Sequence, residues 1–326
     1  MNKLYPLKFQ PLFHNKIWGG QKLKNELGLD VGKLPNCGEA WVLSGVGNNE
    51  TVVANGFLAG NELNELVEIY MDDLVGTKVY EKYNNEFPIL VKFIDATRYL
   101  SIQVHPDDDL ARRRGLGNGK TEMWYIISAD EDAELISGFS KKVSQKTYLD
   151  HLQNKSLKQI LNVEEVAAGD VFYMPAGRVH AIGPGVLLAE IQQTSDSTYR
   201  IYDWDRTDAR GKSRELHTDE ALEAIDFGVY DSYRSEYGRL KNQSVELVNE
   251  PCFSTNMLHL NKALVKNYDE LDSFVIYTCV QGSLRVKYAS GEESLKMGEC
   301  LLIPNEISNI ELHPSTESKL LETFII

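Results

Sequence analysis

The sequence predicts a mainly β fold, a β-sandwich or barrel with small helical insertions, and three observations lead there. Short apolar runs of strand length dominate the chain. Gly, Pro and Asn punctuate those runs, and helical periodicity is scarce. A segment made of a glycine turn, an apolar strand and a proline occurs twice, which points to two related barrels.

Taken in chain order, "IWGG" (17–20) reads as a tight turn, with Trp18 bordering a pocket. Helical spacing marks 60–75, and "FPILVKFID" (87–95) is a strand. "LSIQVHPDDD" (100–109) begins as a strand, whose alternation puts Leu100, Ile102 and Val104 on one face and Ser101, Gln103 and His105 on the other. That polar face is either solvated or lines a polar interior. Asp107 to Asp109 read as a solvated turn and helix cap. "EMWYIIS" (122–128) is a strand, and Lys120 just before it shares a face with Glu122. The stretch 146–162 is helical, "DVFYMP" (170–175) and "GVLLAEIQQ" (185–193) are strands, and "DEALEAID" (219–226) is helical. From Glu190 onward, Gln192, Thr194, Asp196, Thr198 and Arg200 have equal parity, so an extended chain would put them on one face. Gln192 and Thr198 read as part of a polar outer face. "SFVIYTCV" (273–280) and "CLLIP" (300–304) complete the strands.

The repeat pairs "GDVFYMPAGRVH" (169–180) with "GECLLIPNEISN" (298–309). Gly169 matches Gly298 and Pro175 matches Pro304, but Glu306 stands for Gly177 and Asn309 for His180. The scaffold is kept and the histidine is lost, so only the first copy is expected to carry chemistry. The polar stretch "DSYRSEYGRLKNQS" marks a boundary. The expected division is 1–238, with helical insertions near 60–75 and 142–162, and a smaller degenerate barrel at 239–326.

Composition narrows the function. The 326 residues are 42% hydrophobic, enough for a sizeable core, and no run is long enough to span a bilayer. The net charge of −14 argues against nucleic acid or an anionic membrane as partner. An anionic small substrate would need a locally basic pocket. The N-terminus lacks an apolar signal region, and the four cysteines form no CxxC pair, so a reduced, cytoplasmic protein is expected. "GLGNGKT" (115–121) is not a phosphate-binding P-loop, because Arg114 stands where that loop needs glycine and a strand follows instead of a helix.

Gly169, Pro175, Gly177 and His180 make the pattern G-x5-P-x-G-x2-H. With Gln103-x-His105 and Glu122 upstream, it resembles the two signatures of the cupins, small jelly-roll barrels that hold a metal inside. Two such barrels are then expected. Imidazole, carboxylate and amide oxygen suit Zn2+ or another first-row dication. One anionic ligand leaves a zinc site at about +1, still a good Lewis acid.

"IWGG", "GEAWVLSG", "SIQVHP", "GKTEMWYI" and "PAGRVHAIGPGVLLAEIQQTSDSTYR" together, in order from residue 18 to 200, resemble type I mannose-6-phosphate isomerase in its short form. The resemblance implies interconversion of mannose 6-phosphate and fructose 6-phosphate through an enediol, with one Zn2+ per chain on Gln103, His105, Glu122 and His180. It implies substrate and catalytic roles for Ser101, Lys120 and Arg200. On that reading Lys120 and Ser101 hold the phosphate, Arg200 meets charge on the intermediate, and Glu190 or Asp196 moves the proton, with zinc-bound water as a competitor. The partner is a phosphosugar, and the assembly a monomer or weak homodimer. A cupin Fe(II) dioxygenase and a non-enzymatic sugar-binding cupin are the alternatives. Neither the extra ligand Gln103 nor the cations Lys120 and Arg200 are needed by a dioxygenase.

Overall fold

The computed structural model describes residues 3–207 and 211–326. Within them the chain folds into two jelly rolls packed back to back. The first has a six-stranded sheet in the order Leu12–Gly20, Cys37–Leu43, Ile89–Ala96, Val186–Gln193, Glu122–Ala129 and Val171–Met174. Its second sheet runs Tyr199–Tyr202, Ile102–Val104, His180–Ile182, Glu134–Phe139 and Leu161–Glu165. The second jelly roll repeats the plan. One sheet runs Ser244–Glu250, Phe253–Leu260, Ser318–Phe324, Val275–Gln281 and Cys300–Ile303; the other runs Leu264–Asn267, Asn309–Pro314, Ser283–Tyr288 and Gly291–Lys296.

The apolar runs lack clean alternation for a physical reason. Strands of the six-stranded sheet are buried on both faces, so both faces must be apolar. Ile94, Trp124 and Leu188 pack inward with Leu135 and Ile182 of the opposite sheet. Val91, Phe93, Met123, Tyr125 and Ile191 point outward into a larger cluster with Phe253, Ile276, Leu302 and Leu321 of the second barrel. The N-terminal segment also crosses over. Leu7 and Leu302 exchange backbone hydrogen bonds of 2.8 and 2.9 Å.

Several elements differ from expectation. "IWGG" is the end of strand Leu12–Gly20, not a turn. Its glycines serve close approach: a Cβ on Gly19 would lie 2.5 Å from the Gly38 backbone nitrogen of the neighbouring strand. Leu100 leaves the face of Ile102 and Val104. It lies before strand Ile102–Val104 and packs with Trp18 and Trp124 instead. The stretch 146–162 is only half helix. Helix Gln145–Gln153 ends, Lys155 turns into a left-handed conformation (φ +53°), and Leu161–Glu165 joins a sheet edge. The first insertion holds helix Leu63–Val75, kinked at Met71, and helix Thr77–Tyr83. The Asp272 carboxylate from the second barrel accepts the first backbone N–H groups of the latter, at 2.7 Å from Thr77 and 3.1 Å from Lys78. Asp107 caps helix Asp108–Arg113 by accepting the Leu110 N–H at 2.7 Å, as the sequence suggested.

Candidate metal centre

Strand pairing brings the separated ligands together. His180 opens its strand opposite Gln103, and Glu122 opens its strand opposite Met174 and Gln192. Gly177, with φ +89°, makes the turn that leads into His180, and its N–H donates to the His105 carbonyl at 2.9 Å. His105, Glu122 and His180 are thereby buried with one potential ligand atom each, all within 4.8 Å of one another.

The imidazoles are oriented for coordination. His105 Nδ1 donates to the Ser197 carbonyl at 3.0 Å, and His180 Nδ1 donates to the Arg178 carbonyl at 2.8 Å. Both Nε2 lone pairs then face Glu122, at 3.3 Å from Oε1 and 3.8 Å from Oε2. These spacings fit an ion held by bonds of about 2.0–2.2 Å in a tetrahedral set. Gln103 Nε2 lies 3.3 Å from His180 Nε2, and a half-turn of the amide exchanges its two ends, bringing Oε1 to that place. Among the described residues neither buried Glu122 oxygen has a hydrogen-bond donor. The Lys120 ammonium forms an ion pair with Oε1 at 2.9 Å and lies 3.3 Å from His105 Nε2. A buried carboxylate beside two imidazole Nε2 atoms is a donor set for a dication.

Electrostatics agree. Burial pushes His105 down to about 3, with Lys120 adding to the effect, and burial also lowers His180. Both rings are therefore neutral, the state a ligand needs. Burial opposes ionisation of Glu122, but the Lys120 ammonium beside it outweighs that cost and holds the carboxyl well below its ordinary range.

A cavity of about 270 Å³ opens beside this trio, with Gln103 and Lys120 in its wall. Trp18, Ser101, Glu190, Asp196 and Arg200 also line it, so every residue the sequence nominated reaches the cavity or the trio. Thr198 lines it too, and Gln192 is wholly buried with its side-chain oxygen accepting from Lys92 Nζ at 2.7 Å. The outer-face expectation is thus corrected for both: Gln192 lies in a sheet covered on both sides, and Thr198 precedes strand Tyr199–Tyr202 of the opposite sheet, in the cavity wall.

Four wall residues escaped sequence reading: Lys16, Glu39, Lys92 and Arg214. Lys92 pairs with Glu190 (3.2 Å), whose other oxygen accepts Trp124 Nε1–H at 3.0 Å. Burial and the nearby Glu122 raise Glu190 above the ordinary carboxyl range. Lys16 and Glu39 pair at 3.0 Å. Arg214 Nε donates to Asp203 Oδ2 at 2.8 Å, and Arg200 donates through Nη1 to the Glu215 carbonyl at 2.8 Å while its buried Nε has no partner among the described residues. The one available signal was Lys92, a lysine in the middle of an otherwise apolar strand run.

A jelly roll that keeps two histidines and a glutamate within ligand distance inside its wall is a cupin, and this chain is two cupin barrels of which the first holds the site. Comparison with known proteins narrows the class. Residues 6–136 match the family model of the phosphomannose isomerase type I catalytic domain. The mannose-6-phosphate isomerase of Streptococcus mutans is 34% identical over 305 residues, covering 93% of this chain and 94% of that protein. Mannose-6-phosphate isomerase ManA of Bacillus subtilis is 33% identical over 315 residues, covering 96% and 97%. A solved structure of the Bacillus subtilis mannose 6-phosphate isomerase has a TM-score of 0.88 at 31% identity, covering 98% of this chain and 99% of the other. The chain belongs to the type I mannose-6-phosphate isomerase family.

Proposed function

We propose that the protein interconverts mannose 6-phosphate and fructose 6-phosphate and that it uses one Zn2+ per chain, held by Gln103, His105, Glu122 and His180. One observation carries this reading beyond family membership. In a protein of net charge −14, Lys120, Arg200 and Arg214 meet in one cavity beside the ligand trio. That is the basic pocket an anionic sugar requires.

Bound zinc would supply Lewis acidity beside the sugar's oxygens. The chain's own groups do the rest. Ser101 and Lys120 hold the phosphate, and Arg200, in the same wall, faces the sugar's oxygens. Anchoring the phosphate positions C1 and C2 and excludes water from a reactive intermediate. Glu190 is suited to take the C2 proton and return it at C1, because burial and Glu122 raise it above the ordinary carboxyl range and Trp124 orients it. Arg200 meets negative charge as it develops on the sugar oxygens. Asp196, on the same wall, is the competing base. A phosphosugar substrate and four free cysteines fit a cytoplasmic setting.

The test is a coupled assay for fructose 6-phosphate formed from mannose 6-phosphate, with and without chelator. Turnover lost on chelation and restored by Zn2+ is expected. Undiminished turnover in metal-stripped protein would overturn the zinc assignment, and no turnover with any added dication would overturn the isomerase reading.

A further inference from the structure

We propose that Arg178 is a positioning residue for the metal centre, and that two tyrosines from the chain's linker toward the second barrel hold it in place. The proposal rests on the metal reading above. Arg178 is nearly buried, yet among the described residues its Nε has no hydrogen-bond partner. Its guanidinium instead lies between two rings, 4.6 Å from the centroid of Tyr230 and 4.8 Å from that of Tyr233. A buried cation held mainly by aromatic faces calls for a reason.

Its backbone supplies one. The Arg178 carbonyl accepts the His180 Nδ1–H at 2.8 Å, the bond that selects the tautomer and aims Nε2 at Glu122. That carbonyl belongs to a tight turn, in which Arg178 N donates to the Pro175 carbonyl at 3.1 Å. The same turn touches the other histidine, through the Gly177 N–H on the His105 carbonyl. From outside, the linker braces it. Asp226 N donates to the Gly177 carbonyl at 2.8 Å. Tyr233 donates its hydroxyl to the Phe139 carbonyl at 2.7 Å, and its ring sits where a Cβ on Gly138 would be, 2.4 Å away. Tyr230 donates to Asp226 Oδ2 at 2.6 Å. The tyrosines are thus fixed independently of Arg178, and the guanidinium slotted between them fixes the carbonyl that orients His180.

The full chain, stripped of metal, is titrated with Zn2+ against a chromophoric chelator. Arg178→Met keeps the stem and loses the cation. It is expected to weaken Zn2+ on the order of ten- to a hundred-fold, and to shift the visible spectrum of the Co2+-loaded protein, while the metal-free protein melts near the wild-type temperature. Arg178→Lys should fall between the two. Tyr230→Leu, at a half-exposed position, should weaken Zn2+ several-fold by the same route. Zn2+ affinity within twofold of wild type in Arg178→Met or, where that variant does not fold, in both Arg178→Lys and Tyr230→Leu, with an unchanged Co2+ spectrum, overturns the clamp and leaves the metal site standing. Lowered melting temperature with unaltered Zn2+ affinity assigns the stack to fold alone and also overturns it. Wild-type protein that takes up no Zn2+ overturns the metal reading, and the clamp with it.

Discussion

The two barrels can be compared residue by residue through their strand registers. Met174 faces Glu122 in the first barrel, and Ile303 faces Val275 in the second. Trp124 and Lys92 flank Glu190, as Tyr277 and Asn256 flank Glu322. His180 faces Gln103, and Asn309 faces Asn267. The second barrel therefore keeps a buried carboxylate, Glu322 for Glu190, and replaces the other, Glu122, by valine. The kept one is fully served. Lys266 pairs with Oε1 at 2.8 Å beside Tyr268, and Ser244 and Asn256 donate to Oε2 at 2.8 and 3.1 Å. At the positions of Gln103 and His180, Asn267 Nδ2 donates to Asn309 Oδ1 at 3.0 Å and also to Asp269 Oδ2 at 2.8 Å. Polar residues inside a barrel do not make a site by themselves. What sets the first barrel apart is a buried carboxylate that has two histidines, not amides and hydroxyls, gathered within 4.8 Å of it.

The largest effect should come from the histidines. His105→Ala and His180→Ala are each expected to lose bound zinc and at least about 10³ in turnover, as removal of a ligand dismantles the site. Asn309→Ala should change neither. Metal analysis should give one tight equivalent per chain, and a second equivalent abolished by Asn309→Ala would erase the contrast between the barrels. Next come the cations. Arg200→Met should lower kcat on the order of 10²–10³, the loss of a group that meets developing charge. Lys120→Met should act more on KM, if its interaction is uniform through the reaction. With zinc content checked in both, the reverse pattern would exchange their roles.

In the second barrel the cost should be to stability. Glu322→Leu leaves Lys266 without its buried partner and should destabilise the fold by about 3 kcal/mol, with kcat per folded molecule unchanged. A denaturant titration beside the activity assay checks both. The smallest effect is in pH. Burial opposes ionisation of Glu322, but Lys266, Tyr268 and Asn256 outweigh it, so its folded value lies below the ordinary 4.5. Its stabilisation is full above that value and fades as pH falls through the depressed one. Glu190, raised by burial and by Glu122, has the opposite sign: its contribution weakens as pH rises from 4.5 toward its folded value. Glu322→Gln should accordingly flatten the acid limb of the stability profile and Glu190→Gln its rise-dependent loss. Equal slopes in both variants would show that the two carboxylates feel similar surroundings.

The candidate ligands were legible in the sequence because G-x5-P-x-G-x2-H and Gln103-x-His105 with Glu122 resemble the cupin signatures, and strand parity puts Gln103 and His105 on one face. Lys92, Glu39 and Lys16 were not, since their positions in the wall depend on pairing between strands far apart in the chain, Glu39 with Ile94 and Lys92 with Glu190. Arg214 lies in a segment without any period. Gln192 was misjudged because parity alone cannot show that both faces of a sheet are covered. The half-helix at 146–162 failed for a similar reason: the edge-strand role of Leu161–Glu165 depends on its partner, Glu134–Phe139.

The crossing of Leu7 onto Leu302, and of Asp272 onto the helix at Thr77, ties the two barrels together. The first barrel's outer face is completed by its neighbour, through one continuous apolar cluster. The second barrel thus serves as a wall for the first, whatever its own interior holds. A chain cut after residue 238 would expose that wall to water, and it is expected to aggregate when expressed alone, whereas the whole chain should melt in a single cooperative transition.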